Sequence, residues 1–149
     1  MSSAIARNYY VRGLEGLRRG SLDTARDDLR AALDLDAGFV DARVAFSGVL
    51  ARTGDAPRAA QLLREGLNHP VGPRARVSLH RALGDVLIAA GDYRGAEDAF
   101  SQAATVGSAA GLPQHDLHDR LARLRAKTGR FSEALGELLS AARASKTPR

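Results

Sequence analysis

The chain has 149 residues, enough for one domain with a real core and too few for two ordinary ones. Its formal charge is +5, most of it from residues 115–149, which carry eight basic side chains against four acidic ones. It contains no cysteine, which removes disulfides, thiolate metal sites and cysteine nucleophiles together; and since aromatic residues are only 5% while alanine and leucine dominate, its apolar surface must be buried by small and medium side chains, which favours helix on helix.

In chain order, the first stretch, MSSAIARNYYVRGLEGL, is broken by Arg7, Arg12 and Glu15 and holds no apolar run long enough for a signal peptide or a membrane span. A soluble, cytoplasmic protein is the expectation. Lys127 and Lys146 are the only lysines among many arginines, which with the alanine content points to a bacterium with a GC-rich genome. The first helical stretch ends at Gly20-Ser21-Leu22, followed by Ala25 and Leu29. The same arrangement returns as Gly54-Asp55-Ala56 with Ala59 and Leu63, as Gly91-Asp92-Tyr93 with Ala96 and Phe100, and as Gly129-Arg130-Phe131 with Ala134 and Leu138. The intervals between the glycines are 34, 37 and 38 positions, a period that marks a repeat architecture.

Each glycine separates two amphipathic stretches. Around Gly91, Leu79, Leu83, Val86 and Leu87 follow a helical spacing upstream, as do Ala96, Ala99, Phe100 and Ala103 downstream. Each copy therefore predicts a helical hairpin, with the glycine left-handed just past the first helix and Asp55 or Asp92 capping the second. Gly84, like the alanines at 25, 59, 96 and 134, is expected to let paired helices close together.

The pattern resembles the tetratricopeptide repeat. The third copy carries it best, in Leu83, Gly84, Leu87, Gly91, Asp92, Tyr93, Ala96, Phe100 and Ala103. The first offers Tyr9, Gly13, Gly20, Ala25, Leu29 and Ala32; the second Phe46, Ser47, Leu50, Gly54, Ala59, Leu63 and Gly66; the fourth Leu121, Ala122, Gly129, Phe131, Ala134, Leu138 and Ala141. The resemblance implies an all-α fold, a right-handed superhelix (α-solenoid) of four helix-turn-helix hairpins and about eight helices. A single domain over 1–149 is expected, with repeats at about 6–39, 40–73, 77–110 and 115–146. The proline usual after the second helix is missing after Asp36, and the joints at 69–74 and 107–114 read as insertions that loosen or tilt the stack.

No chemistry competes well with this reading. Gly84 and Gly91 follow no strand and have no nearby lysine, so they form no phosphate loop. His115 and His118 could face a metal from one side of a helix, but with no firm third ligand they read as the polar start of a helix after Pro113, where Asp116 and Asp119 suit the dipole. His69 sits in a turn, His80 takes a packing position, and Ser78 lies on a different helical face from His80. The expectation is no enzyme, no cofactor and no metal site.

If the resemblance holds, the first helices of successive copies line a concave groove. Its expected partner-binding residues are Tyr10, Val11, Leu14, Val44, Arg52, Arg81, Asp85, Ile88, Arg120, Arg123 and Lys127, apolar at the start and basic at the end. That gradient suits a peptide or helix of another protein with an apolar anchor and an acidic part, and implies an adaptor or scaffold. The places that grip a chaperone's C-terminal carboxylate in some relatives hold Tyr10, Leu14, Ala45, Ser78 and Ala82, so that use is not expected. The alternative is a binder of nucleic acid or another anionic surface through Arg120, Arg123 and Lys127, disfavoured because stacking aromatics are absent there. Leu135, Leu139 and Ala142 on the last helix are a candidate self-association face.

Overall fold

The computed structural model describes residues 3–129 and 131–146, with the backbone alone at 131, 132, 134 and 146. The described residues form eight helices: α1 (Ala4–Arg19), α2 (Leu22–Leu35), α3 (Val40–Arg52), α4 (Ala56–Leu67), α5 (Pro73–Ala89), α6 (Tyr93–Ala109), α7 (His115–Lys127) and α8 (Phe131–Lys146). There is no strand among the described residues. The helices pack as consecutive hairpins, α1 on α2, α3 on α4, α5 on α6 and α7 on α8, with α2 also against α3 and α6 against α7. They form two compact units, the first ending at Pro70 and the second beginning at Val71.

The hairpin turns follow from local chemistry. Gly20, Gly54, Gly91 and Gly129 all have φ between 79° and 91°, the left-handed region in which a side chain is strained and glycine is not. After Gly91, the Asp92 N–H donates to the Leu87 carbonyl at 2.9 Å, and the Asp92 carboxylate then accepts from the Gly95 N–H at 2.9 Å. One aspartate thus closes α5 and opens α6. Asp55 repeats the cap on α4, accepting from Arg58 N–H at 3.3 Å, and Ser3 caps α1 by accepting from Ala6 N–H at 3.0 Å.

Close approach within the hairpins depends on missing side chains. A Cβ on Gly84 would collide with the ring of Phe100, and one on Gly13 would lie 2.6 Å from Leu29 Cγ. Ala25, Ala59 and Ala96 are completely buried opposite. Ala134, the fourth copy's counterpart of these alanines, and Phe131, its counterpart of Tyr93, have side chains outside the described ones.

Two boundaries differ from the sequence expectation. α5 begins at Pro73, absorbing Pro73 and Arg74 of the expected joint and starting ahead of position 77, because proline is accommodated in the first helical turn. α6 continues through Gly107 to Ala109 and ends at a fifth left-handed glycine, Gly111 with φ 69°. The Leu112 N–H donates to Gly107 O at 2.8 Å, so the third hairpin has a terminator of the turn type where an irregular insertion was expected.

One charged residue is built into the first unit. Arg43 on α3 is buried, with Nη1 donating to Leu62 O at 3.0 Å and Nη2 to Ala37 O at 2.8 Å. Burial pushes its pKa down, and the Glu65 carboxylate 3.9 Å away opposes that. The guanidinium thereby ties the α2 to α3 connection to α4. No helix among the described residues is long and apolar enough to cross a membrane.

Candidate functional site

In the first unit the expected groove residues lie on α1 and α3, which touch. Helical spacing puts Tyr10, Val11 and Leu14 on one side of α1. Tyr10 packs on Phe39, ring centroids 5.0 Å apart and planes at 51°; burial, then the charge of Asp41, pushes its hydroxyl pKa up. Val11 and Leu14 are instead left 58% and 39% exposed. On α3, Val44 is half-buried, and a Cβ on Gly48 would meet nothing within 4 Å. Arg52 is exposed at the end of α3. The unit thus presents a small apolar face with open space beside the α3 backbone.

The second unit treats its corresponding residues differently. Arg120 on α7 donates through Nη1 to Asp85 on α5 and through Nε to Asp116 at 3.2 Å. Arg81 Nη1 lies 3.5 Å from the same Asp116 oxygen, and the Arg120 guanidinium stands 5.8 Å from the centre of the Phe100 ring. Burial raises the Asp85 pKa, Arg120 and Arg81 pull it back, and Asp116 adds to the rise. Arg123 pairs with Asp119 at 2.9 Å, and Lys127 Nζ sits 5.0 Å from the centre of the Tyr93 ring. Ile88 is half-buried. The basic stripe read from the sequence is engaged in contacts inside the unit, Arg120 with Asp85 and Asp116, Arg123 with Asp119 and Lys127 with the Tyr93 ring, while the Arg123 side chain stays 79% exposed.

A further charged cluster joins α7 to α8 and α6. His118 Nδ1 lies 2.6 Å from Glu137 Oε2, and Arg125 Nη1 donates to Glu137 Oε1 at 2.5 Å. Arg125 Nε is 3.4 Å from Glu97 and 3.6 Å from Glu133. Burial alone would raise the Glu137 pKa, but the hydrogen bonds and charges of His118 and Arg125 bring it below its ordinary value. His118 is thus turned to Glu137, while His115 is exposed at the start of α7. No three His, Cys, Asp or Glu residues among the described ones stand close enough to hold a metal. The sequence signal for this cluster is the seven-residue spacing of His118 and Arg125, which sets both on one face of α7.

On α8, Leu135, Leu138 and Leu139 are 59%, 46% and 54% exposed, and Ala142 is exposed beside them. Leu138, a packing position by its place in the repeat, thus joins the exposed stripe.

A tetratricopeptide repeat family model matches residues 10–74 and 81–148. Comparison with curated proteins gives no match. Among solved structures, the chain is similar to the MamA protein, with a TM-score of 0.71 at 15% identity, over 95% of this chain and 73% of that one. It is also similar to TTC0263, a thermophilic repeat protein of the same kind from Thermus thermophilus, with a TM-score of 0.73 at 19% identity, over 93% of this chain and 73% of that one. A third likeness is to the APC/C hetero-tetramer Cut9-Hcn1, with a TM-score of 0.75 at 15% identity, over 94% of this chain and 27% of that one. At such identities the likeness is one of fold.

Proposed function

As the chain belongs to the tetratricopeptide repeat family, whose members generally mediate protein-protein interaction or scaffolding, we propose that it is a non-enzymatic adaptor that holds a peptide or helical segment of a partner protein on the face formed by α1 and α3. The observation that carries this reading is the exposure of Val11 and Leu14 next to half-buried Val44, with open space at Gly48. An apolar anchor seated there removes both side chains from water, and burying one such side chain fully is worth about 1.5–3 kcal/mol. The open backbone at Gly48 accommodates the anchor's bulk. A cytoplasmic setting accords with the cysteine-free sequence.

In the second unit, taken by itself, Arg81, Arg120 and Arg123 are ion-paired and Lys127 lies over Tyr93, so these cations meet acidic residues of a partner through their field more than through open hydrogen-bond donors. Such a field affects association rate more than affinity. The same pairing weighs against a nucleic-acid or anionic-surface binder, which needs free cations and would show a steep salt dependence on bare nucleic acid.

The test is affinity capture from native lysate with wild type and Leu14→Glu in parallel, with circular dichroism on both. The variant is expected to keep its helicity and lose the captured partner. Capture that survives the change overturns the assignment to this face.

A further inference from the structure

The face that α1 and α3 share carries its charges in a fixed order. Counted back from the turn glycines Gly20 and Gly54, matching places hold Arg7 and Asp41 at thirteen residues, Tyr10 and Val44 at ten, Leu14 and Gly48 at six, and Arg18 and Arg52 at two. These places follow one another every three or four residues, so on each helix they fall on one side. The middle of the face is therefore free of charge, and a charged end stands on either side of it.

The two ends differ in net charge. At the start of the helices Arg7 and Asp41 are both exposed and opposite in sign, and Asp41 stands near enough to Tyr10 for its charge to raise the hydroxyl pKa. At the turn end Arg18 and Arg19 share a single carboxylate, Glu15, at 2.5 Å and 3.1 Å. Arg52 is exposed there and has no hydrogen bond or ion pair among the described residues. It differs in this from Arg81, Arg120 and Arg123, each of which has a carboxylate of its own unit. Three guanidinium groups thus stand against one carboxylate at the turn end, while the start is balanced.

We propose, resting on the adaptor function above, that the segment held by α1 and α3 is a helix of the partner that carries an aspartate or glutamate one turn from its apolar anchor, on the side of Arg52. An amphipathic helix laid in a groove is a common mode of recognition, and a Cβ on Gly48 meets nothing within 4 Å, which leaves the groove open at its middle. An anchor seated against Leu14 and over Gly48 lies four residues of α3 from Arg52, about 6 Å along the axis. A helix alongside covers that distance in one turn, three or four residues. The carboxylate then meets a guanidinium whose fork is free to take both of its oxygens. A basic residue in that place meets an excess of positive charge, so the difference between the two ends also sets the direction in which the helix lies.

The test selects peptides of about sixteen residues, some four helical turns, from a random display library on the full chain as wild type, Arg52→Gln, Arg52→Glu and Leu14→Glu, with circular dichroism on each. Sequences enriched on wild type should pair a bulky apolar residue with Asp or Glu three or four positions away. Arg52→Gln should flatten that preference, and Arg52→Glu should turn it to Lys or Arg. A synthetic copy of the best wild-type peptide with its acid changed to lysine should bind wild type about fivefold to tenfold more weakly and recover on Arg52→Glu. Were Arg52 to serve only the dipole at the end of α3, both variants would change in stability and keep the acidic preference. Apolar enrichment without the acid, or an acidic preference that both Arg52 variants leave as it is, overturns the contact with Arg52 while the α1 and α3 face stands. No enrichment on wild type, or enrichment that survives Leu14→Glu, removes the face itself and the acidic contact with it.

Discussion

Arg120 of α7 reaches back 35 positions to donate a hydrogen bond to Asp85 of α5. The two residues were expected side by side as groove contacts for a partner; in the fold each is the other's contact. With Asp116 and Arg81 attached, they hold the first helices of the third and fourth hairpins in register. In the first unit Val11 and Leu14, being apolar, make no such contacts and are 58% and 39% exposed.

The pairing of Asp85 with Arg120 is expected to show as a coupling energy. Chemical denaturation of Asp85→Asn, Arg120→Met and the double variant should give a coupling of about 0.5–1 kcal/mol, modest because both side chains keep part of their water. A coupling indistinguishable from zero would reduce the contact to a surface coincidence.

Gly84 and Gly91 should fail for different reasons when changed to alanine. At Gly84 the new Cβ runs into the Phe100 ring, an overpacking that costs about 1–3 kcal/mol and should be partly relieved by adding Phe100→Leu. At Gly91 there is space but φ is 80°, so the cost is backbone strain of about 1–2 kcal/mol that no packing change relieves. Thermal unfolding of the three variants separates the two mechanisms.

Arg43→Met keeps the length and removes the donors to Leu62 O and Ala37 O. Losing these two hydrogen bonds from a charged donor, to the carbonyls of half-buried Leu62 and exposed Ala37, costs about 1–3 kcal/mol. Arg43→Lys should recover little, since one ammonium cannot span two carbonyls with the guanidinium's fork. Equal stability of the lysine variant and wild type would contradict the bridging role.

Stability should fall on acidification in two stages. Burial, then the charge of Arg76, holds His80 below its ordinary 6.5; the unfolded chain binds that proton more readily, so this contribution is complete above about pH 6.5 and declines as pH drops below it. Glu137, held below 4.5 by His118 and Arg125 against the opposing effect of burial, contributes stability above about pH 4.5 that is lost as pH falls through its lowered pKa. Denaturation midpoints from about pH 8 to about pH 3 should show both stages. His80→Leu should remove the first only, and a variant retaining it would assign that stage elsewhere.

The parts of this protein legible in its sequence are those decided within a few residues. The spacing of Gly20, Gly54, Gly91 and Gly129 fixed the hairpins because a left-handed residue is needed wherever a helix turns into the next, and Asp55 and Asp92 follow because the first N–H groups of a helix need an acceptor. Gly84 was legible too, since a small residue facing a large one at the same offset in each copy implies close packing. The joint before α7 departs from its expected bounds because Gly107 looks like a breaker, whereas Gly111 is the glycine that ends the helix.

Tertiary structure alone decided which of the exposed-face residues remain available. Arg120, Arg123 and Lys127 form the same basic stripe whether or not they are paired; only the placement of α5 and α6 beside α7 brings Asp85 and Tyr93 to Arg120 and Lys127. Likewise Leu29 and Leu138 occupy one register in the repeat, yet one is completely buried and the other half-exposed. Sequence period specifies how a hairpin folds on itself through short-range geometry, while burial and ion pairing depend on what stands beside the hairpin, and that is settled by contacts between residues far apart in the chain.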